Sequence, residues 1–201
     1  MTVFDVSRRS VLSGLAGIAA LGAIPQAVFA LSTDTARALV DRLVADINAV
    51  IASGKSESAM IRDFEGIFDR YADVPIIART ALGNDWRRAT DAQRRNFVVA
   101  FRGYISRKYG RRFREFVGGK IEVRSASTVP NGVEVRAMAI LSGQAPFEVS
   151  FVISDGSGQP KFINMFIEGI NMINSERTEI GAMLDRRRGD IDGLIVDLQS
   201  A

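Results

Sequence analysis

Ten basic side chains fall between Arg87 and Arg114: Arg87, Arg88, Arg94, Arg95, Arg102, Arg107, Lys108, Arg111, Arg112 and Arg114. Guanidinium forks grip phosphate and carboxylate bidentately, so such a run invites an anionic ligand. Interleaved aromatics are also a habit of nucleic-acid binders. Phe97, Phe101 and Tyr104, however, fall at three- and four-residue spacing, share one helical face, and read as core. The arginines are then a solvated face, open to an anionic lipid headgroup or an acidic partner, and nucleic acid is not expected.

Carboxylates form the second constellation. Glu122, Glu134 and Glu148 stand at alternate positions of strand-like segments, opposite the apolar residues. Paired carboxylates are the machinery of glycoside hydrolysis, but these share segments with Arg124 and Arg136, which predicts cross-strand ion pairs on a wet sheet face. Glu168, between an apolar strand and Gly169, is expected to make a structural hydrogen bond at a strand-to-helix junction.

The composition removes most other chemistry. The 201 residues include no cysteine and no histidine. Disulfides, thiolate nucleophiles, zinc–thiolate sites, Ser-His-Asp triads and histidine-ligated metals are therefore impossible. No catalytic residue, metal ligand or cofactor is assigned, and the chain is not expected to be an enzyme.

The N-terminus reads as an address. Ser7-Arg8-Arg9-Ser10 is followed by an uncharged run to Thr33, closing on Pro25-Gln26-Ala27-Val28-Phe29-Ala30. A basic start, an apolar middle and a small residue at the end make a cleavable export signal, with the cut near Ala30. The arginine pair after serine half matches the twin-arginine pattern, since Val11 and Ser13 replace the usual Phe and Lys; the route is twin-arginine or Sec. Residues 1–30 are thus expected to be the signal and 31–201 a single domain. Removing Asp5, Arg8 and Arg9 leaves 24 basic and 22 acidic residues.

Apolar periodicity predicts the elements that position these groups. Leu39, Leu43, Ile47, Val50 and Ile51 mark a helix over 33–53, capped by Ser32 or Thr33. Met60, Phe64, Ile67, Phe68 and Tyr71 mark a second over 56–71, which Val74-Pro75 breaks. Pro75 starts a short helix through Leu82, stopped by Gly83. Thr90-Asp91-Ala92-Gln93 is a capping box that opens the longest helix, predicted to reach Phe116 or Val117 at roughly 40 Å, with Gly110 as a bend. From Lys120 the period changes to two. Ile121–Arg124, Val133–Ala137, Phe147–Phe151 and Phe162–Ile167 are four strands separated by turn residues, hence an antiparallel meander. Helices over 173–184 and 191–199 follow. The expected class is α+β.

One sheet face offers Val133, Val135, Ala137, Ala139 and Leu141, then Phe147, Val149, Phe151 and Ile153, and the helices add Ile77, Leu82, Trp86, Phe97 and Phe101. A filled core and a greasy cavity would both need such a set.

Asp73-Val74-Pro75-Ile76-Ile77-Ala78-Arg79-Thr80-Ala81-Leu82-Gly83, then Trp86-Arg87 and Ala89-Thr90-Asp91-Ala92-Gln93-Arg94, resemble the MlaC (toluene-tolerance, Ttg2-type) family. Phe97, Phe101 and Tyr104, Ile167-Glu168-Gly169-Ile170, and Ile191-Asp192-Gly193-Leu194-Ile195-Val196-Asp197-Leu198 continue the likeness to the end of the chain. Pro160 stands where a tryptophan is usual, and Asn164 where Asp is expected. The resemblance implies N-terminal helices packed on a curved antiparallel sheet of nuclear-transport-factor-2-like character, enclosing an apolar lipid cavity. It implies a periplasmic carrier of phospholipid that shuttles between an outer-membrane lipoprotein/porin complex and the inner-membrane MCE-domain protein of an ABC transporter.

Lipid contacts are then expected from Val74, Ile77, Ala81, Leu82 and Trp86, and from Phe97, Phe101 and Tyr104. On the strands the expected contacts are Val135, Ala137, Val149, Phe151, Met165 and Ile167. Each methylene removed from water is worth about 0.8 kcal/mol, so two long chains cost on the order of 20 kcal/mol to expose. A lone lipid therefore needs an enclosing carrier to cross water. A hopanoid or other polycyclic cargo, an envelope adaptor that binds no lipid, and an enzyme using the wet-face carboxylates are the alternatives.

Overall fold

In the computed structural model, residues 31–201 are described; residues 1–30, read above as an export signal, lie outside them. Helix α1, Thr33–Ala52, starts where Ser32 accepts a hydrogen bond from the Thr35 amide. Helix α2 covers Glu57–Tyr71, and Asp73 caps α3, Val74–Leu82, with Pro75 in its first turn. The proline needs no amide partner there. A short α4, Asp85–Arg88, leads to α5, Asp91–Gly110, where the expected capping box is complete: Thr90 and Gln93 satisfy each other's amides.

The long helix stops earlier than its apolar pattern suggests. At Gly110 it gives way to a 3-10 turn, Arg111–Phe116. The cause is tertiary: a Cβ on Gly110 would lie 3.0 Å from Ile61 Cγ1 and 3.1 Å from its Cα, so α2 crosses α5 there at backbone distance. The α-helical part is 20 residues, about 30 Å long.

The sheet holds β1, Lys120–Val129; β2, Gly132–Ile140; β3, Phe147–Ser154; β4, Lys161–Ile167; and β5, Ile170–Asn171. They are antiparallel and pair in sequence order. The two-residue β5, too short to give a periodicity, is a fifth strand beyond the expected four. Helices α6, Met172–Arg186, and α7, Ile191–Ser200, close the chain. The fold is α+β.

Apolar residues form two cores. In one, α3, α5, α6 and α7 pack together around Phe97, Phe101, Ile180, Leu194 and Leu198. In the other, α1 and α2 cover the sheet face bearing Val133, Val135, Ala137, Val149, Phe151 and Ile153. Phe64 and Phe162 pack against both. Helix α1 also meets the open side of β1: Asn48 donates to Ile121 O at 3.1 Å and accepts from Ile121 N at 3.0 Å, and Arg37 donates to Arg124 O at 3.2 Å.

The opposite sheet face is wet, but its ion pairs run along strands rather than across them. Glu122 pairs with Lys120 and Arg124, and Glu134 with Arg136, each two residues away on one strand. The i,i+2 spacing of a strand brings these side chains to the same face. Across strands, Ser150 donates to Glu134 at 2.9 Å.

Candidate apolar binding site

Between the two cores lies a cavity of about 420 Å³, within the roughly 300–1,000 Å³ of small-molecule sites. Helix α1 lends it Leu43 and Ile47, α2 lends Phe64, Ile67 and Phe68, and α5 lends Phe101 and Ile105. Opposite stand Phe147, Val149 and Phe151 of β3 and a row from β4.

A bulge aims that row. β3 and β4 pair as Phe151↔Met165 and Val149↔Ile167, yet Ile153 faces Phe162, because the register shifts between Val152 and Ile153. One extra residue in β4 lets Phe162 and Met165, three apart, oppose inward-facing partners. Asn164 secures the same strand to the start of α6. Its amide donates to Asn171 Oδ1 at 3.1 Å, and its own oxygen accepts from Ile173 N at 3.4 Å.

The structure brings together Ile77, Phe101, Val149, Phe151, Met165 and Ile167 of the residues expected to meet lipid. It places the others away from the wall. Val74, Ala81, Leu82, Phe97 and Tyr104 fill the all-helical core, and Val135 and Ala137 are packed beneath α1 and α2. Trp86 packs on the helical core and borders a separate polar recess with Arg79, Arg87 and Arg177. Wall residues without a sequence-based expectation include Leu43, Phe64, Phe68, Phe162 and the polar Tyr109 and Glu176. Glu176 had a signal: it interrupts the helical stripe Ile173, Ile180, Leu184 with a charge.

The exposed lining residues, Arg112, Gln144, Ala145 and Glu168, mark the mouth. Several members of the basic run are paired elsewhere. Arg88 meets Asp85, Arg94 meets Asp91, and Arg102 bridges Glu65 and Asp69. Arg107 donates to the Leu198 and Ala201 carbonyls at the end of α7. Of the described side chains of the run, Arg112 alone lines the cavity, and it has no ion-pair partner among the described residues.

Glu168 corrects an expectation. Among the described residues its side chain makes no hydrogen bond; its backbone N–H bonds Glu148 O at 2.9 Å, its φ is 49°, and the exposed residue borders the cavity.

Between α5 and α6 lies a polar cluster. Tyr104 donates to Glu179 at 2.7 Å, Tyr109 to Glu176 at 2.6 Å, and Lys108 to Glu176 at 2.8 Å and Glu179 at 2.5 Å. Burial, reinforced by these carboxylates, pushes both phenols up, so they stay protonated donors. Burial pulls Lys108 down, but Glu176 and Glu179 override it and the ammonium titrates above its usual value. Glu179 is shifted down despite burial, because Lys108 and Tyr104 hold its charged form. No group of three or more possible metal ligands occurs among the described residues. Nor is any helix there long and apolar enough to cross a membrane.

A family model described as MlaC protein matches residues 37–200. Among solved structures, the phospholipid-binding protein of Ralstonia solanacearum, determined in complex with a phospholipid, is similar in fold. The TM-score is 0.70 at 19% identity, over 82% of this chain and 95% of that one.

Proposed function

The chain belongs to the MlaC family, and on that premise we propose that it is a carrier which encloses phospholipid acyl chains between its sheet and its helices. The observation that carries this reading is the apolar cavity itself, which spans two cores that would otherwise close on each other. The phospholipid held by the Ralstonia protein of like fold supports it. In this reading Phe151, Met165, Ile167, Val149, Ile77 and Phe101 touch the chains, and Arg112 receives the phosphate at the mouth by a charge-assisted hydrogen bond.

Residues 1–30 serve as a cleaved signal, by the twin-arginine or Sec route, which delivers residues 31–201 to the periplasm. There the protein shuttles lipid between an outer-membrane complex and an inner-membrane transporter bearing an MCE-domain protein. The task needs enclosure and release rather than bond making, and no catalytic role is assigned.

Native mass spectrometry of the exported, purified protein tests the carrier reading. A diacyl phospholipid that co-purifies supports it, and a triterpenoid would redirect it to hopanoid cargo. A protein that is empty and also extracts nothing from phospholipid vesicles would refute it. The observed N-terminus reports the signal: a start near Leu31 is expected, and a retained Met1 would overturn cleavage.

A further inference from the structure

The polar recess at the end of α3 measures about 200 Å³ and shares no lining residue with the apolar cavity, so it has no task in enclosing acyl chains. Arg79 of α3, Arg87 of α4 and Arg177 of α6 border it. All three are exposed, and among the described residues none has an ion-pair or hydrogen-bond partner. The nearby acids of the chain are taken: Arg88 holds Asp85 at 2.9 Å, and Arg94 holds Asp91 at 3.1 Å. The carbonyl end of α3 supplies about half a negative charge, too little to balance three cations. A recess lined by one sign of charge gathers ions of the other.

Two features hold the cations in place. Gly83 has φ 63°, and a Cβ built on it would lie 3.0 Å from Arg177 Nε and 3.1 Å from its Cζ. The guanidinium therefore rests on backbone that any other residue would cover. On α4, Arg94 donates to Trp86 O at 2.9 Å and to Arg87 O at 3.3 Å, and lies over the Trp86 ring, 5.7 Å from its centroid. That clamps the backbone from which Arg87 extends. Asn84, also on the lining, has an exposed side chain that makes no capping bond.

We propose that this recess is a phosphate-binding site, separate from the mouth of the lipid cavity. Each guanidinium presents five N–H donors in a planar fork. One fork satisfies a planar carboxylate, whereas forks from three helices suit the several oxygens of a tetrahedral phosphate. A phosphate with three free oxygens meets all three arginines, whether it is inorganic phosphate or the monoester headgroup of a lipid such as phosphatidic acid.

The sequence holds a single tryptophan and it lines the recess, so Trp86 fluorescence reads occupancy there rather than at Arg112. Titration of the purified protein with inorganic phosphate, at ionic strength held constant with chloride, is expected to give a saturable change. Arg177→Gln should weaken binding about tenfold, the loss of one charge-assisted hydrogen bond. Arg177→Lys keeps the charge, loses the fork, and should weaken it several-fold. Arg95→Gln removes the same charge from an exposed position outside the lining and should leave the affinity unchanged. Co-sedimentation with phosphatidylcholine vesicles containing phosphatidic acid, lost in Arg177→Gln, assigns the phosphate to a lipid. A response to inorganic phosphate without such sedimentation assigns it to the free ion. Four results overturn the inference: neither a phosphate response nor Arg177-dependent sedimentation, acetate binding as tightly as phosphate, full affinity in Arg177→Lys, or equal weakening by Arg95→Gln. Loading of the cavity, read by native mass spectrometry, stands or falls separately.

Discussion

Phe151 of β3 and Phe162 of β4 meet edge to face across the sheet, their ring centroids 5.9 Å apart and their planes at 64°. Phe162 also leans on Phe68 of α2 at 5.9 Å, so a chain of rings joins the sheet wall of the cavity to the helical wall. Phe151→Asp places a charge in this apolar wall and is expected to abolish phospholipid loading, because a carboxylate there has no partner. Native mass spectrometry checks the load and circular dichroism the fold. Normal loading by a folded variant would remove Phe151 from the binding surface.

Filling the cavity should act without a charge. Met165→Trp adds bulk to the wall and is expected to cut the loaded fraction several-fold while changing stability by less than about 2 kcal/mol, since the space is already open. Trp86→Ala, which alters a residue away from the cavity, is expected to leave loading unchanged. Measuring both variants by lipid extraction from vesicles separates cavity from core.

Gly110→Ala pits helix propensity against a crossing. Alanine gains at most about 1 kcal/mol over glycine in a helix. The new Cβ must lie within 3.0–3.1 Å of Ile61, including its backbone Cα, which a packed helix cannot cheaply yield. A net loss of about 1 kcal/mol is expected, read as a lower urea midpoint. A raised midpoint would show that α2 gives way freely.

Gly132→Ala should be more severe. Gly132 has φ 143°, and a Cβ built there would lie 1.9 Å from the Ile153 carbonyl oxygen. The β2–β3 pairing must part to admit it, at a cost of at least about 3 kcal/mol. The measurement is the thermal midpoint by calorimetry.

Acid should loosen the α5–α6 contact. The folded protein holds Glu179 below its ordinary value of 4.5. The unfolded chain therefore binds its proton first as pH falls, and the contribution is complete above about 4.5 and lost below it. Thermal midpoints followed from pH 7 to pH 3 should drop through that window, less steeply in Glu179→Gln. Lys108 has the opposite sign: its raised value makes its contribution fade only in strong alkali, as pH climbs past the ordinary 10.5.

Much of this architecture is legible in the residue order, for reasons that are local. The Thr90–Gln93 capping box, Pro75 in the first turn of α3 and the alternation of Val149, Phe151 and Ile153 each encode their geometry within a few residues. The end of α5 is not so encoded, because its cause, Ile61, is far away in sequence. The cavity wall is legible in part. Phe97, Phe101 and Tyr104 share one stripe, yet only Phe101 reaches the cavity; which neighbour each ring meets depends on where α6 and α7 pack. Similarly, Phe162 and Met165 cannot both be assigned to one face until the bulge in β4 is seen.

The bonds from α1 to β1 bear on how the molecule behaves in company. A sheet whose last strand shows a bare row of amides and carbonyls is a template on which another copy's strand can lay itself. Here Asn48 takes up both backbone groups of Ile121, as one residue of a sixth strand would, and Arg37 occupies the Arg124 carbonyl. A helix thus terminates sheet growth on that side. A crowded population of such molecules is protected from strand-to-strand aggregation there by two side chains rather than by a longer sheet.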